Sequence, residues 1–284
     1  MKNLIFLIFL IFITKYSYSN NLFESSFYNI EFTSNDIEDE KIKEINKIKS
    51  KSFLHILKNT LSDQDYIEIN NYISDDLINT FIKNIIINDE KIINDKYFSK
   101  IKINFNKKKI IEFFRLKKIS YVEYYPDKFL LIIYEQDGII KNLFTKNNSY
   151  YNYYNKNLKN NNFFLIPKLD INDRFILKED HLINEDLIKI KNFSKKYNSN
   201  ENLVVISKKN KNKINYEIIL YSNEQKLKKN FELNINEMSK FFKLLENETL
   251  NLWKQINKIQ NESINFLRCQ VSYFNLFELK ELRN

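Results

Sequence analysis

The stretch "KFLLIIYEQDGII", from Lys128 to Ile140, decides how the second half of the chain folds. Its apolar run from Phe129 to Tyr134 has the length and composition of a buried strand. The run is interrupted at Asp137-Gly138, a natural turn that contains the only glycine of the chain. The pattern therefore predicts a buried strand that ends in a turn at Gly138.

The residues after this strand predict a sheet covered by helices. The apolar start of "FFLIPKLDINDRF" (Phe163 to Phe175) predicts another strand, a helix is predicted over Asp180 to Tyr197, and residues 147–162 fit either a helix or a loop. Three successive strands are predicted in "NLVVIS", "INYEIILYS" and "KLKKNFELN", and a helix from about Asn236 to Ile259 is expected to cover the sheet. These elements predict an α/β domain over residues 127–260.

The residues before Lys128 predict a smaller unit with the order β-α-β-β-α-β. "SSFYNIEFTS" is typical of a strand, and Asn35 with Glu38 predicts a capping box that opens a long helix. "NIIINDEKII" and "YFSKIKINFN" predict two strands paired around Asn94-Asp95, followed by a helix after Asn106 and a closing strand "SYVEYY". The predicted first α+β domain spans residues 20–126. The fold class is therefore α+β, with two small mixed-sheet domains and helices packed on the sheets.

The amino terminus predicts export. Lys2 precedes the apolar core "LIFLIFLIFI", and "SYS" supplies small residues for a signal peptidase, so residues 1–19 are predicted to be a signal peptide cleaved between Ser19 and Asn20. A persistent amino-terminal anchor is the alternative. With Cys269 as the single cysteine, no intrachain disulfide can form, and its apolar neighbours predict a buried structural thiol. The expected location is the periplasm.

The charge is weak support for an anionic partner. The formal net charge is +9, but only four of the 45 basic residues are arginine, as expected of a lysine-biased, AT-rich composition. Arginine is the residue that usually binds phosphate in nucleic-acid partners, and export also makes nucleic acid an improbable partner. The lysine runs fit solvated faces more often than contacts with anionic lipid or peptidoglycan.

The composition excludes several enzyme classes. One glycine cannot form a phosphate-binding loop, a dinucleotide-binding turn or a Gly-x-Ser-x-Gly elbow. His55 and His181 leave little material for a zinc site. Ser99 and Lys102 have the Ser-x-x-Lys spacing, but in a predicted strand they point to opposite faces. We therefore assign no catalytic residue, metal or cofactor.

The candidate functional or turn-stabilising loop consists of Pro167, Asp170, Asp173 and Arg174. The two aspartates could hold a cation or polarise a substrate while Arg174 binds an anion. Alternatively, Pro167 marks a strand edge, the aspartates accept backbone N–H bonds in a strand-to-helix turn, and Arg174 pairs with one of them. We favour the second interpretation because no third ligand or base lies nearby in the sequence.

The chain resembles a divergent, AT-rich member of the family known as domain of unknown function 2066, found in exported envelope proteins of Gram-negative bacteria. Three stretches carry this resemblance: "INDEKIINDKYFSKIKINFNKKKIIEFF" from Ile87, "FLLIIYEQDG" from Phe129 and "LIPKLDINDR" from Leu165. The resemblance implies a periplasmic location, no known activity, and a second domain similar to the amino-terminal domain of the Tol-system propeller protein. Members continue past Asn284, so residues 261–284 are expected to be a strand and the start of an incomplete unit.

These observations predict a periplasmic protein that is a non-enzymatic binding or assembly factor of the cell envelope. Its expected partner is an envelope protein or peptidoglycan, and no stable transmembrane segment is expected after signal cleavage. The alternative is a periplasmic hydrolase or metal-dependent enzyme that uses the loop of Asp170, Asp173 and Arg174.

Overall fold

The computed structural model describes residues 22–126 and 128–260. The predicted signal peptide with Ser19 and Asn20, the strand expected after residue 261 and the buried thiol expected at Cys269 lie outside the described residues. The described part contains helices and two separate sheets, which confirms the α+β class.

The smaller sheet is antiparallel throughout, in the order β1-β3-β2. Its strands are β1 (Tyr28–Thr33), β2 (Ile82–Ile93) and β3 (Lys96–Phe105). The central strand β3 turns Ile101, Ile103 and Phe105 inward, where they are buried. Asn94 and Asp95 join β2 to β3 with φ of 48° and 60°, as a two-residue hairpin turn requires. The predicted hairpin around these two residues is confirmed.

Helices pack on one face of this sheet. They are α1 (Ile37–Thr60), α2 (Asp63–Asn70), α3 (Asp75–Phe81) and α4 (Lys107–Leu116). Ile48, Phe53 and Ile56 of α1 are buried against the sheet, whereas Ile42, at helical spacing from Ile45, is exposed. Ile37 and Ile45 pack against the same core while partly exposed, so full burial along α1 begins at Ile48.

Two local predictions in this unit are wrong. The cap of α1 is Asp36, whose carboxylate accepts a 3.0 Å hydrogen bond from the Asp39 amide, instead of Asn35. Either residue is a good cap, so the sequence could not decide the position. "SYVEYY" forms only a single bridge between Tyr121 and Ile259 and no strand. The predicted β-α-β-β-α-β order thus lacks its last strand.

The larger sheet is mixed and has the order β5-β4-β7-β8-β9, with β6 paired to β4. Its strands are β4 (Phe129–Asp137), β5 (Ile140–Asn142), β6 (Phe164–Leu165), β7 (Asn202–Asn210), β8 (Lys213–Ser222) and β9 (Gln225–Asn234). β4 runs parallel to β7, while β7, β8 and β9 form an antiparallel meander. Gly138 (φ 59°) turns β4 into β5, as predicted.

Both faces of the larger sheet carry helices. The first face packs against α5 (Ser149–Asn157) and α9 (Met238–Asn257), and the second against α6 (Ile171–Ile176), α7 (Glu179–Ile183) and α8 (Leu187–Lys196). The region 147–162, left open by the sequence, is therefore mainly helical. The single helix expected over Asp180 to Tyr197 is two helices, because the chain bends at Glu185, whose φ is 54°.

Three helices end in the same way. After α4, α7 and α8 a residue with positive φ follows the cap, and the next amide bonds back to the third carbonyl from the helix end. Glycine usually occupies this left-handed position, but here it holds Lys118 (φ 56°), Glu185 (φ 54°) and Asn198 (φ 51°). A chain with one glycine must place residues with side chains there.

The segment between the two sheets and helix α9 both form hydrogen bonds with the end of α1. The Val122 amide donates to the Thr60 carbonyl at 2.9 Å, and the Lys254 ammonium of α9 donates to the Lys58 carbonyl at 2.5 Å. Both acceptors are in the last turn of α1, where helical carbonyls lack partners within the helix. In residues 22–126 and 128–260, no helix is both long enough and apolar enough to cross a membrane.

Candidate functional site

The predicted loop is a helix start built on a short edge strand. Pro167 is buried just after β6, and Asp170 caps α6 by accepting a 2.9 Å hydrogen bond from the Asp173 amide. The sequence suggested that Arg174 pairs with one of the aspartates, and that prediction is wrong. The Nε of Arg174 donates to the Phe144 carbonyl at 2.9 Å, so it joins α6 to the segment after β5.

Asp173 is fully buried, with 0% of its surface exposed. Its Oδ2 accepts from the Leu169 amide at 2.9 Å, the Tyr197 hydroxyl lies 2.7 Å from Oδ1, and the Lys196 ammonium lies 2.7 Å from Oδ1. Leu169 has a φ of 60°, which is strained for a residue with a side chain. The carboxylate therefore holds a strained turn and ties α6 to the end of α8.

The ionisation of this cluster fits a structural role. Burial acts to lower the pKa of the Lys196 ammonium, but its hydrogen bonds to Asp173 and Asp170 outweigh burial and hold the pKa above its ordinary value. Burial, and then the hydrogen bond to Asp173, raise the pKa of Tyr197 to about 12. The Asp173 amide, followed by Lys196, lowers the pKa of the Asp170 carboxyl. The cluster thus favours a carboxylate and an ammonium that are already paired.

The other residues singled out in the sequence have ordinary surroundings. Ser99 is buried inside the smaller sheet, while Lys102 points outward and pairs with Glu24 at 2.7 Å. Their predicted placement on opposite faces is confirmed. The His55 ring contacts the Asn59 amide at 2.9 Å, and His181 Nδ1 accepts from the Lys178 amide at 3.1 Å. No group of three or more metal-binding side chains occurs among the residues described.

A cleft of about 430 Å³ lies at the end of the larger sheet where β7 begins and β8 ends. Its walls come from α8, the α8–β7 loop, the β8–β9 turn and Tyr124 of the segment between the sheets. Most of the lining residues are polar, including Ser194, Ser199, Asn200, Glu201, Asn202, Ser222, Asn223 and Gln225, and Leu187, Ile190 and the aromatic rings supply apolar surface. At the rim, Lys191 of α8 pairs with Glu224 of the turn at 2.9 Å.

Glu201 is the most unusual residue of the cleft. Its Oε2 is shielded from solvent and has no hydrogen-bond partner among the residues described. Burial raises the pKa of the Glu201 carboxyl, and the Ser222 hydroxyl and the Trp253 indole, which lie beside it, only partly oppose that effect. A buried acid that lacks a cation costs stability and is more frequent at functional sites than elsewhere.

Two more buried polar groups without partners lie in or against the cleft. They are the Tyr221 hydroxyl, which belongs to the lining, and the indole Nε1 of Trp253. Tyr221 is 4% exposed and Trp253 is 0% exposed. Burial, followed by Glu185, raises the pKa of Tyr221 to about 12, so its hydroxyl keeps its proton at neutral pH. The Trp253 indole lies beside Glu201, whereas the Tyr221 hydroxyl lies on the other face of the sheet, toward Glu185 and Glu217.

A hydrogen-bond network holds the opposite wall. Asn257 Oδ1 accepts from the Tyr124 hydroxyl at 2.8 Å and from Asn223 Nδ2 at 2.5 Å, and Asn257 Nδ2 donates to the Ser222 hydroxyl at 3.1 Å. The Tyr124 and Trp253 rings meet edge to face, with centroids 5.1 Å apart. Tyr124 keeps half of its surface exposed although it is held on two sides.

Sequence reasoning missed this site. Glu201 precedes a predicted strand, Trp253 lies on the apolar face of a predicted helix, and Tyr124 was assigned to a strand. No spacing joins positions so far apart, and only the folded chain brings them together. The one available signal was composition, because Trp253 is the only tryptophan of the chain.

The arrangement is suited to binding. It offers neutral donors and acceptors on several elements, a partly exposed aromatic ring and one acid in a low-dielectric position. Comparison of the chain with protein-family models, with curated proteins and with solved structures found no match.

Proposed function

We propose that the chain is a periplasmic, non-enzymatic binding or assembly factor of the cell envelope, and that the cleft around Glu201 is its ligand site. One observation carries this proposal. Glu201 Oε2, which is shielded from solvent and has no hydrogen-bond partner in the described part of the chain, belongs to a cleft whose lining residues are mostly polar. Unpaired buried polar groups are costly, and a bound ligand would remove that cost.

The periplasmic location in this proposal rests on the sequence. Residues 1–19 have the pattern of a signal peptide, and the three stretches described above resemble an envelope family. Export predicts a partner from the envelope, either a protein or peptidoglycan. Mass spectrometry of the mature protein should find Asn20 at its amino terminus, and a retained Met1 would support an uncleaved anchor instead.

The alternative enzyme at Asp170, Asp173 and Arg174 has less support. Both Asp173 oxygens and Asp170 Oδ1 are engaged with the protein's own amides, hydroxyl and ammonium groups. Arg174 is occupied by the Phe144 carbonyl. A cation or substrate would have to displace these bonds, and the loop would lose its own cap.

The proposed function is tested by photo-crosslinking in intact envelopes. In one variant of the full chain, benzoylphenylalanine replaces Gln225, which lines the cleft at the start of β9. In the control it replaces Asn234, which is exposed at the other end of the same strand. We expect a light-dependent adduct with an envelope component from position 225 and none from position 234. An equal yield from both positions, or no adduct from either, would contradict the proposal.

A further inference from the structure

The charges of the cleft are close to balanced. Lys191 and Glu224 neutralise each other at the rim, which leaves Lys195 on α8 and Glu201 inside. No basic side chain in the described part of the chain forms an ion pair with Glu201. Burial also raises the pKa of the Glu201 carboxyl and so disfavours its charged form. A cationic ligand would meet Lys195 and a carboxyl group whose charged form is disfavoured, and an anionic ligand would have to approach the Glu201 carboxyl.

The hydrogen-bonding groups of the cleft are of both kinds. Amide side chains line the cleft at Asn200, Asn223 and Gln225, and each carries two N–H donors and an acceptor. The Asn223 amide nitrogen already donates one of its hydrogen bonds to Asn257 Oδ1. The Glu201 carboxyl adds Oε2, an oxygen that has no hydrogen-bond partner among the residues described. A ligand that fits must both donate and accept at several closely spaced positions.

An aromatic ring completes the lining. Tyr124 is held by its hydroxyl bond to Asn257 and by its contact with Trp253, yet it is 50% exposed. A fixed, exposed ring beside amide and carboxyl groups can pack against the C–H face of a saturated ring while the polar groups bind its hydroxyls.

We propose that this cleft binds an uncharged glycan segment. The inference rests on the proposed function and specifies its ligand: hydroxyls of the sugar donate to Glu201 and exchange hydrogen bonds with the amides, and one sugar ring packs on Tyr124. Sugar hydroxyls donate and accept at adjacent positions without carrying charge, which matches the balanced and partly unpaired lining. A peptide amine or a phosphate carries a net charge, which the balanced charges of the cleft lining do not complement.

Trp253 supplies a direct readout, because it is the only tryptophan and lies beside Glu201 and Tyr124. The full chain is titrated with tri-N-acetylchitotriose while tryptophan fluorescence and the single indole N–H resonance are recorded. Trilysine and inorganic phosphate serve as the cationic and anionic probes. We expect a saturable change with the sugar and none with the other two probes.

Two variants and two matched controls test the contacts. Glu201→Gln and Tyr124→Ala should each weaken sugar binding about tenfold, the effect of losing roughly one good hydrogen bond or ring contact. Glu112→Gln and Tyr72→Ala change exposed residues of the smaller unit and should bind as the unchanged chain does. Circular dichroism verifies that all four variants are folded.

The proposal is overturned if trilysine or phosphate gives the saturable change in place of the sugar, if no probe does, or if both cleft variants bind the sugar normally. Crosslinking at Gln225 separates this failure from failure of the proposed function. If position 225 crosslinks to an envelope component but the chain does not bind the sugar, the ligand class is wrong. If there is neither a crosslink nor sugar binding, the cleft is not the binding site.

Discussion

Lys254 shows how a single buried charge makes stability depend on pH. It is 5% exposed, and burial lowers the pKa of its ammonium to about 8, with Asp63 opposing that effect. The pKa of an unfolded lysine is about 10.4. Between these values the unfolded chain binds more protons than the folded one, so the free energy of unfolding rises with pH. From pH 7 to 9.5, the titration of Lys254 should raise the free energy of unfolding by about 2 kcal/mol.

Urea unfolding at the two pH values measures this effect against Lys254→Met, which has no charge to titrate. Relative to Lys254→Met, the free energy of unfolding of the unchanged chain should be about 2 kcal/mol higher at pH 9.5 than at pH 7. Lys243→Met, which removes an exposed lysine from the same helix, controls for the loss of charge. A pH-independent difference would mean that Lys254 ionises as an exposed lysine does.

At the scale of elements, the contact between α6 and α8 depends on Asp173. Asp173→Asn leaves the Lys196 ammonium without its buried partner, and it should lower the free energy of unfolding by about 3 kcal/mol. Asp170→Asn keeps a good helix cap and should cost less than about 1 kcal/mol. Urea unfolding of the two variants provides the comparison. If both fold with unchanged stability, the loop is not structural and the enzyme alternative gains support.

The elements also show how far the sequence could be interpreted. Apart from "SYVEYY", the predicted strands and the Asn94-Asp95 hairpin form, because apolar patterning and turn chemistry are local. The break at Glu185 was not, since nothing in the composition marks a left-handed glutamate. The roles of Asp170 and Asp173 as backbone acceptors followed from turn chemistry, but their partners Lys196 and Tyr197 lie more than 20 residues away. Glu201 belongs to a site that only tertiary contacts create.

At the scale of the whole molecule, contacts between the two sheets should make the described residues unfold together. Phe53 is 0% exposed in the core of the smaller unit, so Phe53→Ala should cost about 4 kcal/mol. Trp253 lies in the core of the larger unit. If the units are coupled through Val122 and Lys254, the fluorescence and circular dichroism transitions of Phe53→Ala should coincide and shift equally. A fluorescence transition that stays in place would show that the larger unit unfolds alone.

The helix ends at Lys118, Glu185 and Asn198 have a consequence for engineering. Glycine substitution usually weakens a protein, but at Lys118 and Glu185 it removes backbone strain of about 1 kcal/mol each, somewhat offset by the greater freedom of the unfolded chain. Asn198 gains less, because asparagine adopts the left-handed conformation more readily than other residues with side chains. Lys118→Gly should therefore raise the melting temperature, whereas Lys117→Gly, one residue earlier, should lower it. We therefore expect the scarcity of glycine to leave the protein less heat-resistant than its fold allows, and Lys118→Gly and Glu185→Gly to recover that margin.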